Sequence, residues 1–156
     1  MLASASMALA RSAISPSASV LVASVLGKSL IDVLPRQQLL GQWRECCCIA
    51  SNIAKNGTPN HILVNKINDY SIAHFFTYTI DYVAGEMKRR GYKVDTTKFW
   101  KHFSFGDAYT IPEFDELYDG WHNERYLKQC LANLEEKFDC GGITSEEWNL
   151  IKSKHD

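Results

Sequence analysis

The amino-acid sequence predicts an all-α fold, a compact single domain of three main helices plus a short C-terminal helix. Apolar residues recur at helical spacing over long stretches that end at glycines. The stretches between them contain Gly, Pro and Asn and are typical of connectors, not of strands. A chain of 156 residues, 46% of them hydrophobic, is long enough for one such domain but not for two.

The first helix is predicted to run from Pro35 to Asn56. Proline is favoured at the start of a helix, and Gly57 is a residue type that ends one. Spacings of four, three, four and three residues give this helix one apolar face. That face consists of Leu39, Trp43, Cys46, Ala50 and Ile53. The rest of its surface is polar and carries Gln37, Gln38, Gln42, Arg44, Glu45, Ser51, Asn52 and Lys55.

The second helix is predicted from about Ile72 to Arg90, where three basic residues at positions 88–90 oppose the helix dipole. The third helix is predicted from about Trp121 to Phe138. One face of the third helix carries Tyr126, Cys130, Leu134 and Phe138.

The remaining segments are short. Thr144 and Glu147 form a capping-box pattern that starts a final helix through Lys154. Residues 57–71 and 92–119 are predicted to be connectors, the second with one helical turn.

The charge of the chain is unevenly distributed. Residues 28–110 carry eleven Lys and Arg against seven Asp and Glu, a net charge of +4, whereas residues 111–156 carry five against eleven, a net charge of −6. The front part could hold a polyanion such as DNA, but no stretch is as basic as a disordered nucleic-acid arm. The charge permits DNA binding without requiring it.

The first 27 residues differ from the rest of the chain. They are rich in Ser and Ala, contain Arg11 and lack acidic residues, a composition that suits an organellar transit peptide. A wrongly predicted first exon would explain it equally well. The run VLVASVL is too short to span a bilayer, so no membrane is predicted. The sequence thus divides into a leader-like segment, 1–27, and a helical domain, 28–156.

The cysteines indicate a reducing, intracellular location. There are five, and residues 46–48 are adjacent on a predicted helix, where they cannot bridge each other. If the leader is real, the compartment is a mitochondrion or plastid; otherwise it is the nucleus or cytoplasm.

Several kinds of site are excluded by their missing motifs. No spaced Cys pairs and no HExxH motif occur, so no metal is predicted. Gly-rich phosphate loops, a GxSxG elbow and the zinc-deaminase signature are also missing. What remains is Arg44 beside Glu45, a pair typical of a solvated helix face. Taken alone, these residues predict only a small helical domain that binds something anionic.

Four blocks of the sequence carry a more specific resemblance. LPRQQLLGQWREC (34–46), GTPNHILVNK (57–66), EMKRRGYKV (86–94) and ERYLKQCLANLEEKFDCGGIT (124–144) resemble the bacterial branch of the pyrimidine-dimer DNA glycosylases, the endonuclease V type of phage. The resemblance extends over roughly residues 30–151.

This resemblance implies an all-helical fold with the N-terminal segment threaded between helices. It implies a glycosylase that is also an AP lyase, acting on double-stranded DNA with damaged bases as a monomer and without a cofactor. The nucleophile in such enzymes is the α-amine of the mature first residue, which attacks C1′ of the deoxyribose and forms an imine.

Carried over to this chain, the catalytic glutamate matches Glu45 and the preceding phosphate-binding arginine matches Arg44. Lys137 matches a basic position on the third helix that touches DNA. The same helix face would add Gln37, Gln38 and Gln42 as DNA-binding residues. Counting 21 positions back from the glutamate places the nucleophile at Ser24, inside the leader-like segment, so Ser24 acts only if it becomes the mature N-terminus.

The chain departs from the phage pattern at three cationic positions. Val25 replaces the arginine after the nucleophile, Gln38 replaces a histidine and Cys48 replaces an arginine. These losses leave the lesion specificity open. The leading hypothesis is a repair glycosylase and lyase; the alternative is a non-catalytic helical module that binds DNA or protein.

Overall fold

The computed structural model describes residues 25–59, 61–104 and 109–155. Within these residues the secondary structure consists of helices and turns and contains no strand, which confirms the predicted all-α class. No helix in the described ranges combines the length and the apolar character needed to cross a bilayer.

Helix α1 spans Arg36–Asn56 and agrees with the predicted first helix. Pro35 precedes it, and Gly57 ends it in the left-handed conformation, with φ of 76° and its N–H donating to the Ile53 carbonyl at 2.8 Å. Of the predicted apolar face, four residues are buried and Ile53 is partly buried. The prediction that Gln42 lies on the polar surface was wrong, because Gln42 is only 4% exposed.

Helix α2 occupies residues 72–89 in three consecutive pieces, Ile72–Phe76, the π-helical Thr77–Ala84 and Gly85–Arg89. Its start is capped by Ser71, whose hydroxyl oxygen accepts a hydrogen bond from the amide of Ala73 at 3.2 Å. The extent of α2 agrees with the prediction, but its π-helical centre was not predicted.

The basic end of α2 is tied to a buried carboxylate. Arg89 and Arg90 both form ion pairs with Glu86, which is 7% exposed. Burial alone would raise the pKa of Glu86, but the hydrogen bonds from the two guanidinium groups outweigh it and lower that pKa. Two of the three basic residues predicted to oppose the helix dipole therefore have a specific partner as well.

The remaining helices are α3 (Thr97–Trp100), α4 (Glu124–Asp139) and α5 (Ser145–His155). Helix α4 starts later than the predicted Trp121, because the side chain of Asn123 caps it by accepting from the amide of Tyr126 at 2.9 Å. The capping box before α5 is confirmed: Thr144 and Glu147 exchange hydrogen bonds of 2.8 and 3.1 Å between side chain and backbone amide.

Two 3-10 helices complete the fold, Lys28–Val33 and Asn65–Asp69. Neither was predicted. The first buries Leu30, Ile31 and Val33 in the core. The core is rich in aromatic rings, and its largest fully buried side chains are Tyr78, Tyr118, Phe75 and Phe99. These rings pack α1 and α2 against α3 and the turn that precedes α4.

Candidate active site

A cavity of about 250 Å³ lies between α1, α4 and the chain that enters the domain at Leu26. Six of the seven predicted site residues line it: Gln37, Gln38, Gln42, Arg44, Glu45 and Lys137. Ser24, the seventh, lies outside the described residues. Sequence reasoning did not single out the other lining residues, Leu26, Gly41, Asn133 and Leu134.

Glu45 is the acidic group of this cavity. It sits half-buried on α1, and burial raises its pKa to about 7. No ion pair within the described residues involves Glu45, so no neighbouring cation offsets the cost of burying its charge. A carboxyl group with a pKa near 7 can both donate and accept a proton at neutral pH.

Two cations line the same cavity, and neither forms an ion pair with Glu45 in the described structure. Arg44 is exposed, and its guanidinium lies over Gly41, where an added β-carbon would come 3.9 Å from Nη2. Lys137 reaches the cavity from α4, and burial lowers its pKa. The cavity thus combines one half-buried acid with two positive groups from different helices.

The entering backbone is held by side chains from three helices. The hydroxyl groups of Tyr126 and Tyr78 donate to the carbonyl oxygens of Val25 and Leu26, each at 2.7 Å. The amide of Leu26 donates to Oε1 of Gln42 at 3.3 Å. Val25 is completely buried. For residues 25 and 26, where the description of the chain begins, these contacts confirm the predicted threading between helices.

His122 extends this set of contacts to Lys28. Its Nδ1 accepts a hydrogen bond from the amide of Lys28 at 3.0 Å. Burial, with the charge of Lys28 nearby, lowers the pKa of His122 to about 3, so the imidazole is neutral at pH 7. Its proton then resides on Nε2, which is buried without a hydrogen-bond partner in the described part of the chain.

Sequence reasoning missed Tyr78, His122 and Tyr126 as residues of this site. From the sequence alone each looks like an ordinary aromatic core residue. For that reason Tyr126 was assigned to the apolar face of its helix. Only the path of residues 25–28 through the fold reveals what their polar atoms bind.

The three positions that lack the phage cations differ in exposure. Val25 is buried and cannot reach DNA, whereas Cys48 is exposed on α1. Gln38 lines the cavity with its Oε1 buried and unbonded among the described residues. Of these three side chains, Gln38 is therefore the one that can form hydrogen bonds inside the cavity.

The entering backbone should loosen when a tyrosine hydroxyl is removed. Tyr126→Phe leaves the buried Val25 carbonyl without its donor, at a cost of about 1 to 2 kcal/mol. Amide hydrogen exchange of Leu26 and Lys28 should become faster than in the wild type. Tyr70→Phe is the matched control, since the Tyr70 hydroxyl donates to the Asp119 carbonyl at the same 2.7 Å. Equal exchange at residues 26 and 28 in both variants would contradict the role given to Tyr126.

Glu45 should make the protein less stable as the pH rises. Between about pH 4.5 and 7 the folded chain binds a proton at Glu45 that the unfolded chain releases, so the free energy of unfolding falls across this range. The shift corresponds to at most about 3 kcal/mol, and solvent access reduces this to roughly 1 to 2 kcal/mol.

Glu45→Gln removes this titration. We expect the variant to be more stable than the wild type by roughly 1 to 2 kcal/mol at about pH 8 and equally stable at about pH 4. Urea unfolding across this range measures the difference, and Glu135→Gln on the exposed surface of α4 controls for the loss of a carboxylate. A difference between Glu45→Gln and the wild type that does not change with pH would show that the carboxyl group is not responsible.

The family model for pyrimidine dimer DNA glycosylases matches residues 20–99. The match includes α1 with Arg44 and Glu45, all of α2 and the entering segment; Lys137 lies beyond it. No curated protein and no solved structure gives a significant match. Because the matched region covers half of its length, the chain belongs to the pyrimidine dimer DNA glycosylase family.

Proposed function

We propose that the chain is a DNA repair glycosylase with AP-lyase activity on pyrimidine dimers or related lesions in double-stranded DNA. The observation that carries this proposal is the convergence of a half-buried carboxyl group, Glu45, and the buried entering backbone on one cavity. The family description supports the substrate class, because it names pyrimidine dimers.

The proposed nucleophile is the α-amine of Ser24, exposed by removal of the chain before it. Val25, which is bonded to Ser24, is held by Tyr126, and Leu26 lines the cavity with Glu45. Successive Cα atoms are about 3.8 Å apart, so a chain that begins at residue 24 would start one step from the held backbone. An α-amine with an ordinary pKa of about 7.7 to 8.0 is partly neutral near pH 7.

The amine attacks C1′ of the damaged nucleotide, and the glycosidic bond breaks as the base leaves with the electron pair. The sugar ring then opens: O4′ takes a proton and C1′ becomes an imine with the enzyme nitrogen. Loss of a proton from C2′ sends electrons toward the protonated imine, and the bond to the 3′ phosphate breaks. Water finally hydrolyses the imine and restores the amine.

Glu45 is the proposed acid and base of these steps. Near pH 7 about half of its population is ionised, given its pKa of about 7. The ionised form accepts the proton of the attacking amine and stabilises the cationic sugar, and the neutral form donates to O4′.

The remaining site residues are proposed to bind and position. Arg44 and Lys137 bind phosphates on either side of the cavity, and the amides of Gln37 and Gln38 hydrogen-bond to the DNA. Gln42 is proposed to hold the entering backbone, since its Oε1 already accepts the Leu26 amide. The proposed reaction uses groups of the chain and water, and the chain acts as a monomer, so it requires no metal or cofactor.

The leader is part of the proposal. Cleavage after Ala23 would remove most of the segment 1–27, leave the helical domain 28–156 intact and create the amine. If that segment is a transit peptide, the mature protein acts in a mitochondrion or plastid; if it is not, the protein acts in the nucleus or cytoplasm.

Borohydride trapping tests the chemistry. A protein that begins at Ser24 should become covalently linked to an abasic-site oligonucleotide, because borohydride reduces the imine to a stable amine. The full chain that starts at Met1 should not be linked. In the protein that begins at Ser24, Glu45→Gln should lower strand cleavage by about 100-fold or more while DNA binding is kept, as expected for loss of a general acid-base, and Glu135→Gln should cleave normally.

Each result has a defined meaning. No adduct with any N-terminus would refute catalysis and favour the non-catalytic binding module. An adduct only from a native protein whose intact mass shows a start far from residue 24 would refute Ser24. Normal cleavage by Glu45→Gln would remove Glu45 from the mechanism.

Lys137 should contribute one phosphate contact. Lys137→Met should weaken binding to damaged duplexes. Log affinity should also fall less steeply with log salt, with the magnitude of the slope smaller by about 0.9. Lys128→Met is the control, because Lys128 lies on the same helix, is exposed beside Glu124 and does not line the cavity. Equal slopes for the two variants would argue against phosphate binding by Lys137.

A further inference from the structure

Two apolar side chains, Ile62 and Leu63, are exposed beside the candidate active site. Ile62 is 84% exposed and Leu63 is 56% exposed, whereas Val64 is buried. Both exposed residues line a second cavity of about 530 Å³. Leu26 and Asn133 line this cavity and the catalytic one, so the two cavities are adjacent.

The segment that presents these side chains is fixed by hydrogen bonds. His61 Nδ1 accepts from the amide of Leu63 at 3.2 Å, and Asn65 Oδ1 accepts from the amide of His61 at 3.1 Å. The amides of Val64 and Asn65 both donate to the carbonyl oxygen of His61, at 2.9 and 2.8 Å. The exposure of the apolar pair is therefore built into the local fold.

The walls of the second cavity are suited to an anionic partner. Lys66 and Arg125 supply positive charge, and Asn123, Gln129 and Asn133 supply amides. Within the described part of the chain, no acidic residue lines this cavity. A ligand with an apolar interior close to negative charges could pack against the exposed apolar pair and form ion pairs with the two cations.

Duplex DNA has this combination, because its stacked bases are apolar and lie between two phosphate backbones. Isoleucine and leucine are among the side chains that DNA-bending proteins insert between base steps. A step next to a damaged or missing base is the easiest to open, since its stacking is already weakened.

We infer that Ile62 and Leu63 form an apolar wedge that enters the base stack of lesion-containing DNA beside the active site. This inference rests on the proposed function and names the surface through which the enzyme opens its duplex. Lys66 and Arg125 hold the flanking phosphates while the wedge separates the bases.

The variant Ile62→Ser/Leu63→Ser tests the wedge. Both residues are exposed, so the change should affect folding little. Ile111→Ser/Leu150→Ser is the matched control, since these residues are 66% and 55% exposed and line neither cavity. Each double variant is made in the full chain and in the chain that starts at Ser24.

The first measurement uses a duplex that holds a tetrahydrofuran abasic analogue beside 2-aminopurine, whose fluorescence rises when it unstacks. Binding of the unsubstituted protein should raise the fluorescence at saturation, the control should match it, and the wedge variant should raise it far less. This analogue cannot form an imine, so the result does not depend on catalysis.

The second measurement compares borohydride trapping on duplex and single-stranded abasic oligonucleotides. The wedge variant should be trapped about tenfold more slowly on the duplex, because a wedge offsets the cost of unstacking a base step. Trapping on the single strand should be unchanged, since a single strand needs no opening.

The wedge would be overturned if the wedge variant raised the 2-aminopurine fluorescence as much as the unsubstituted protein does. Equal losses of trapping rate on the duplex and on the single strand would overturn it too. Failure of the unsubstituted protein to bind the duplex would overturn it as well, and would leave the apolar pair as a surface for a protein partner. If the unsubstituted protein unstacks the analogue but is never trapped, the proposed catalysis fails while the wedge stands.

Discussion

The rest of the site depends on the side-chain hydrogen bonds that hold the backbone between residues 25 and 28. A buried peptide group needs a hydrogen-bond partner, and here the partners are side chains of α1, α2 and α4 and of the turn before α4. The dependence is mutual, because the hydroxyls of Tyr78 and Tyr126 would have to find other acceptors in a buried setting without this backbone. The helices and the entering chain therefore order one another, and Leu26 of that chain forms part of the cavity wall.

Two glutamates of this fold show how the surroundings of a buried carboxyl group decide its chemistry. Glu86 is only 7% exposed, yet its pKa is lowered, because two arginines reach its oxygens. Glu45 has no such partner in the described structure, and burial raises its pKa to about 7. The first arrangement stabilises the end of α2, whereas the second costs stability and leaves a proton available at neutral pH. Such a cost is common where a site is arranged for activity.

The sequence was a good guide where local signals dominate. Proline and glycine marked the ends of α1, the capping box marked α5, and helical periodicity found the faces of α1 and α4. It could not place contacts between distant residues. Gln42 continues a polar stripe in the sequence, but the chain at Leu26 covers it and turns it into a buried acceptor. The same distant contact gives Tyr126 its role, and nothing within a few residues of either position encodes it.

Net charge is a poor guide to this protein because its charges are sorted in space. The acidic C-terminal part contributes Arg125 and Lys137 to the two cavities, and none of its described carboxylates lines either of them. Arg44 and Lys66 add two more cations from the front part. Among the described residues, the two cavities together are therefore lined by one acid, Glu45, and four positive groups. In the proposed function this arrangement attracts the phosphate backbone of DNA, although the total charge of the chain is only −1. It also keeps other carboxylates away from Glu45, the proposed acid and base, so the proposed DNA binding and acid-base chemistry can share one surface.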